Sequence, residues 1–366
     1  MCHKTWLFSI QLYQMRNRKF GVIKLILLCF VVAVVASVPS LAVAKYQREK
    51  LEQALQGTVS AYQGVINIWN VDTFESGSQS KVVFLENATT QFSKKYKGLY
   101  FLIKNISVEE MVQSFLAGVY PDVISFGFGV GDVVRPVLEN LSGLDYTGVR
   151  SEILTAGQMD GNLYAVGYLM GGYILATTEE KLLSAGISNT DNLSLCLNSA
   201  GFDTESKNKK KHTYSVVVGD NKYVVPQNAV STIAGVALTD AYLSSSMYDA
   251  YMDFVAYNIG TILIGTQRDL FKLSGRVSVG KISGVKIEYL QGYTNLVQYV
   301  GVVKGMMGEK LNLAKEFTQF LVSSKSQQFS SQVGMVSVIK EKFYTDGEFK
   351  NLEESLHESL VVENLF

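Results

Sequence analysis

Hydrophobic and polar positions change period repeatedly between Gly64 and Lys340, laying out alternating strands and helices. Val65–Trp69 is a short β-rich run, followed by the polar, Gly/Ser-bearing segment Asn70–Ser80. Val83, Phe84, Ala88, Phe92 and Tyr96 fall on one side of a helix over Val82–Tyr96, and Leu99–Ile103 reads as the next strand. Val108, Met111, Phe115 and Leu116 recur at helical spacing. Ser107 and Glu110 form a capping-box pattern before them, and Gly118 and Pro121 stop the helix. Asp122–Phe126 then reads as a strand buried on both faces. The order β-α-β-α-β predicts a parallel, doubly wound sheet with right-handed crossovers.

Further along, Asp160–Leu175 has a turn and two strand-like runs broken by Gly167, Gly171 and Gly172. Asn189–Asp220 lacks periodicity, and its run Lys207–Lys211 reads as a solvated loop. Pro226–Tyr251 reads as helical. Strands are expected over Thr261–Ile264, Val285–Leu290 and Asn295–Val302, and an amphipathic helix over Leu311–Val322. Asp346–Phe366 is an acidic tail with helical patches, expected to pack partly on a lobe.

The N-terminus adds a membrane element. Met1–Lys24 is basic, and Leu25–Ala44 is an uncharged apolar run of about 20 residues, the span a bilayer needs. The charge bias puts Met1–Lys24 in the cytoplasm and the body outside. Ala42-Val43-Ala44 and Pro39 favour a cleaved signal peptide, whereas the length of the run favours a retained anchor. A lipidated Cys29 is opposed by the bulky Leu28 before it and by the apolar run continuing past it. All three readings are extracytoplasmic. Lys45–Gln63 reads as a polar stalk.

With 366 residues the chain is long enough for two lobes, and its formal net charge of +0 leaves no basic footprint for nucleic acid. Of the three cysteines only Cys196 lies in the body, so no disulfide forms within it, and His3, His212 and His357 are scattered. No nucleophile–base constellation is readable, so an enzyme is not expected. Gly127-Phe-Gly-Val-Gly131 is not the dinucleotide fingerprint, because the glycine spacing is wrong and it follows the third strand. No cofactor is expected.

Several motifs carry a family resemblance. Phe92-Ser-Lys-Lys-Tyr96, Ala117-Gly118-Val-Tyr-Pro121-Asp122, Tyr164-Ala-Val166, and Ala314 with Phe317, Phe320 and Leu321 resemble the extracytoplasmic solute-binding proteins of ABC importers, in the branch of maltodextrin and multiple-sugar binders. Two prolines of that pattern are Gly167 and Ser337 here. The resemblance implies a periplasmic-binding-protein-like α/β fold: two doubly wound lobes joined by a multi-strand hinge. Residues 64–166 with 256–290 would form lobe 1, and 167–255 with 291–340 lobe 2, leaving 341–366 as the tail. It also implies a small solute, a carbohydrate above all, captured between the lobes and delivered to an ABC permease. A membrane-tethered sensor or adhesion module of the same fold is the alternative.

Ligands in open α/β sheets sit beyond the carboxyl ends of the strands. Sugars need carboxylates and amides for their hydroxyls and aromatic faces for their C–H surfaces. The expected ligand residues are therefore Trp69, Asp72, Thr73, Phe74 and Glu75 in the first loop, and Phe126 and Phe128 in the second. Tyr168 follows at the first crossover, Gln267 and Arg268 after the re-entry strand, and Tyr293 at the last crossover. Competing readings stand beside these: Trp69, Phe74 and Phe126 as core packing, and Arg268 in an ion pair with Asp269 or a neighbour.

Overall fold

Asn70, Ser125, Tyr168 and Gln298, all buried, come from four different strands of one sheet and hydrogen-bond to one another. The structure is a computed structural model and describes residues 58–185, 193, 197, 216–235, 241–357 and 360–366. The chain divides into two units, Met1–Thr58 and Val59–Phe366, of which the second holds the fold described below. The basic segment, the apolar run with Cys29, Cys196 and Lys207–Lys211 lie outside the described residues, as does most of the stalk. Among the described residues, no helix is long and apolar enough to cross a membrane.

The first sheet has the order β2-β1-β3-β13-β6, where β1 is Thr58–Val71, β2 Tyr96–Ile106, β3 Val123–Phe126, β6 Val166–Met170 and β13 Val297–Val302. β1 and β3 run parallel, while β13 is antiparallel to both β3 and β6. β1 and β3 thus carry the expected parallel pairing, and β13 makes the whole sheet mixed. Helix α1 (Lys81–Ser93) follows β1 with Ser80 as its N-cap, and α2 (Val108–Leu116) follows β2 with Ser107 accepting from the Glu110 N–H at 3.1 Å. Such a cap stabilises a helix by about 1 kcal/mol. Gly118 ends this segment with φ +74°, in the left-handed region that glycine enters without steric penalty. Phe92 of α1, Phe101 of β2 and Phe317 of α9 (Gly308–Leu321) pack ring on ring, with centroids 4.8–6.0 Å apart.

The second sheet has the order β11-β7-β10-β8-β9, comprising β7 Tyr173–Thr178, β8 Val216–Gly219, β9 Tyr242–Ser244, β10 Ile262–Thr266 and β11 Val285–Leu290. β10 is parallel to β8 and antiparallel to β7. This corrects the expected lobe membership. β10 and β11 belong with the second sheet, and β13 with the first, because strand partners are chosen by long-range hydrogen bonding. The chain leaves the first sheet through Gly171-Gly172 and returns through residues 291–296, and these crossovers are bonded to each other: Gly171 N–H donates to Leu296 O at 2.7 Å and Thr294 Oγ1 to Gly171 O at 2.8 Å. The segment expected as one helix over Pro226–Tyr251 includes α6 (Pro226–Ala234), β9 and the start of α7 (Met247–Val255). α6 ends at Gly235, whose φ is +65°. The tail folds back on the rest of the chain. Helix α11 (Gly347–His357) buries Leu352 and Leu356, and Val361–Val362 pairs in parallel with Tyr293–Thr294.

Candidate functional site

β1 ends at Val71, and the chain turns through Asp72–Ser80 before α1 begins. The turn is tied down from two sides. Asp72 accepts from Asn70 Nδ2 at 3.1 Å and from Asn105 Nδ2 at 2.8 Å. Gly77 N–H donates to Gly334 O at 3.2 Å, and Ser78 N–H to Val333 O at 3.1 Å. A Cβ on Gly77 would lie 2.5 Å from the Gly334 carbonyl oxygen, so only glycine fits there. Asn70 also belongs to the buried network: Ser125 Oγ donates to its Oδ1 at 2.9 Å, and Gln298 Nε2 donates to Ser125 Oγ at 2.8 Å. Asp72 is therefore positioned by the sheet beneath it.

Lys81, the first residue of α1, has a side chain only 1% exposed. Its Nζ donates to the Phe74 carbonyl, lies 3.5 Å from Asp72 Oδ1 and stands 3.9 Å from the Phe74 ring centroid. Burial lowers its pKa to about 8, against the opposing pull of Asp72 and Glu75.

The second sheet faces this turn with the ends of β8 and β10. Thr266 caps α8 (Gln267–Ser278), with Asp269 Oδ2 accepting from its N–H at 3.0 Å. Burial raises the pKa of Asp269, and the neighbouring Arg268 opposes that shift. Arg268 donates to Asp269 at 2.7 Å and forms an ion pair with Glu75 of the opposite sheet's loop. Gln267 reaches the same place, its Nε2 donating to Glu75 O at 2.6 Å while its Oε1 accepts from Gly172 N–H at 3.2 Å.

Between these loops lies a cavity of about 400 Å³. Asp72, Thr73, Phe74, Glu75 and Lys81 line it from one side, with the serines of the turn, and Asn221, Val224, Met247, Thr266 and Arg268 from the other. Its charged lining is two acids and two bases, mutually paired as Asp72–Lys81 and Glu75–Arg268. Among the described residues no group of His, Cys, Asp and Glu has metal-holding geometry.

Of the residues expected to meet ligand, Asp72, Thr73, Phe74, Glu75 and Arg268 are brought together on this cavity. The others are not among its lining. Trp69 is buried and stacks on Phe115 of α2, centroids 6.3 Å apart, because alternation along β1 turns it away from the face that Asn70 shares with the network. Phe126 is core, and Phe128 is half-buried in the turn after β3. Tyr168 is fully buried, with its hydroxyl 2.8 Å from Ser125 Oγ, and burial raises its pKa. Gln267 is a buried strut, and Tyr293 is buried with its hydroxyl on Glu363. Residue reasoning missed Lys81, Asn221 and Met247. Their only sequence signal is position, at a helix start or just past a strand.

No protein-family model matches the sequence, and no curated protein is similar to it by sequence. The fold is that of the periplasmic-binding-protein-like solute-binding proteins. The chain is similar in structure to the GacH receptor of Streptomyces glaucescens, a protein solved unliganded and with acarbose, at TM-score 0.59 and 13% identity over 83% of this chain and 89% of that one. It is similarly close to a family 1 extracellular solute-binding protein of Bifidobacterium longum subsp. infantis, at TM-score 0.56 and 13% identity, covering 83% and 88%. Thiaminase I of Bacillus thiaminolyticus shares the fold too, at TM-score 0.51 and 10% identity, covering 75% and 86%. The architecture thus hosts both receptors and an enzyme.

Proposed function

We propose that this chain is an extracytoplasmic solute receptor that captures a small carbohydrate in the cleft and delivers it to an ABC permease. One observation carries the reading: the cavity lies beyond the ends of β1, β8 and β10, between two sheets joined by crossovers at Gly171-Gly172 and residues 291–296. Its volume of about 400 Å³ is within the usual range for small-molecule sites, and its hydroxyls, amides and charged pairs suit a polar solute. Closure of two lobes on a ligand about such crossovers is a familiar device. That the GacH receptor, similar in fold, was solved with acarbose supports the carbohydrate assignment. Binding without turnover is the reading because the charged groups of the cleft are engaged with one another, and the described histidine, His357, is not among its lining. The tethered-sensor alternative draws on the N-terminal segment, which lies outside the described residues.

Isothermal calorimetry against a panel of neutral and acidic mono- and disaccharides tests the proposal. Binding of a panel member that is lost in Asp72→Ala supports it. Silence across the panel alongside binding of an amino compound overturns the carbohydrate assignment, and full affinity in Asp72→Ala moves the site elsewhere.

A further inference from the structure

Arg268 is the fixed cation of the cleft. Its side chain is 3% exposed, and Asp269 and the Met247 carbonyl hold one guanidinium nitrogen at 2.7 and 3.4 Å. The ring centroids of Tyr248 and Tyr251 lie 5.5 and 6.0 Å from its guanidinium carbon. None of these contacts depends on Glu75, which occupies the edge of the guanidinium turned toward the cavity. Glu75 is the loose member of the pair: its side chain is 65% exposed on a loop, whereas Arg268 is packed on every other side.

The rest of the cavity repeats this polarity. Lys81 is a second buried cation on the lining, and the helices it and Gln267 begin, 13 and 12 residues long, direct their positive ends to the same place. Thr73, 4% exposed, lines the cavity with a hydroxyl that has no hydrogen-bond partner. When Glu75 swings into solvent, one lining acid, Asp72, remains against two bases. Asp269 still pairs with Arg268 from behind at 2.7 Å, but the guanidinium edge toward the cavity is then without a partner, and another anion can take it.

We propose that the solute carries a carboxylate that replaces Glu75 on Arg268, which makes the ligand class a small polyhydroxylated acid such as a uronate or an aldonate. The inference rests on the cleft being the solute site. A planar carboxylate suits the guanidinium fork because it reproduces the geometry of the group it displaces. Exchanging one carboxylate for another also avoids desolvating the arginine a second time. Phe74, the aromatic among the described lining residues, is 6% exposed and already covered by Lys81, so it presents no open ring face to a neutral sugar.

Calorimetry on the full chain with matched pairs decides it: glucuronate with glucose, galacturonate with galactose, gluconate with sorbitol, and glucose 6-phosphate as the phosphate arm. An acid is expected to bind about tenfold or more tightly than its neutral counterpart, as a charge-assisted pair allows. Glu75→Gln is expected to raise that affinity several-fold by removing the competing carboxylate, and Arg268→Gln to abolish the preference. Glu75→Gln alters an exposed side chain, so it reports even where Arg268→Gln fails to fold. Equal binding of acid and neutral partner, weaker acid binding in Glu75→Gln, or tighter binding of the phosphate than of the uronate overturns the inference. Neutral sugars bound in a manner lost with Asp72→Ala, with no acid preferred, overturn it while leaving the receptor reading intact. Silence from the whole panel overturns both.

Discussion

Arg268 on α8 and Glu75 on the β1–α1 turn form an ion pair across the cleft, joining loops that belong to different sheets. Gln267 doubles the link through the Glu75 carbonyl at 2.6 Å. The contact therefore acts on the relation between the sheets more than on the stability of either.

Glu75→Ala combined with Gln267→Ala is expected to release the cleft in the ligand-free chain. Small-angle scattering should show a larger radius of gyration than in the parent. The Glu75 substitution alone should cost less than about 1 kcal/mol, since a pair with so exposed an acid contributes little. An unchanged scattering profile in the double variant would show that the crossovers alone set the opening.

Gly171→Ala strikes the same strut from below. A Cβ there would lie 2.4 Å from Gln267 Oε1 and 2.7 Å from its Cδ, so the amide must move off Gly172 N–H and the Glu75 carbonyl. The loss of those two bonds is expected to cost about 1–3 kcal/mol, read as a lowered midpoint in urea. Pairing it with Gln267→Ala, which removes the obstructing amide, should recover part of the loss relative to the sum of the single variants.

Lys81 makes the cleft sensitive to alkali. Burial takes its pKa from 10.5 to about 8, so the folded chain carries this proton below about pH 8 and the unfolded chain keeps it up to about 10.5. Between those values the unfolded state binds more protons, and this group's contribution to stability rises with pH as the buried charge is discharged. Affinity for an acidic solute runs the other way and is expected to fall as pH rises through about 8. Calorimetry at pH 7 and 9 in the parent and in Lys81→Met checks this, since the variant should lose the dependence.

Gln298→Ala is expected to weaken binding without touching ligand. Gln298 Nε2 donates to Ser125 Oγ at 2.8 Å and reaches Asn70 Oδ1 at 3.3 Å, and Asn70 in turn holds Asp72. Stranding these buried groups and leaving a void should cost about 2–4 kcal/mol in stability. If chemical denaturation shows that loss while affinity for the solute is unchanged, the network is structural only and does not set Asp72.

The local pattern of the chain was enough to read Val285–Leu290 with its bounds, Ser107 as a helix cap and the polar turn at Asp72–Glu75, because period, capping and turn chemistry act between near neighbours. The resemblance in its motifs pointed to the fold. Which sheet takes β10, β11 and β13 depends on hydrogen bonds between strands far apart in sequence, and no local period encodes that choice. The face of β1 that Trp69 occupies depended on α2 packing beside it, so an aromatic that looked available for a sugar is core. A lysine read in isolation belongs in solvent, and only the placement of Phe74 and Asp72 around the first turn of α1 makes Lys81 a buried cation of the cleft. The sequence by itself thus determined which elements form and where the polar turns fall. The tertiary structure alone decided which of those turns meet, because burial and charge pairing are properties of neighbours that the fold supplies.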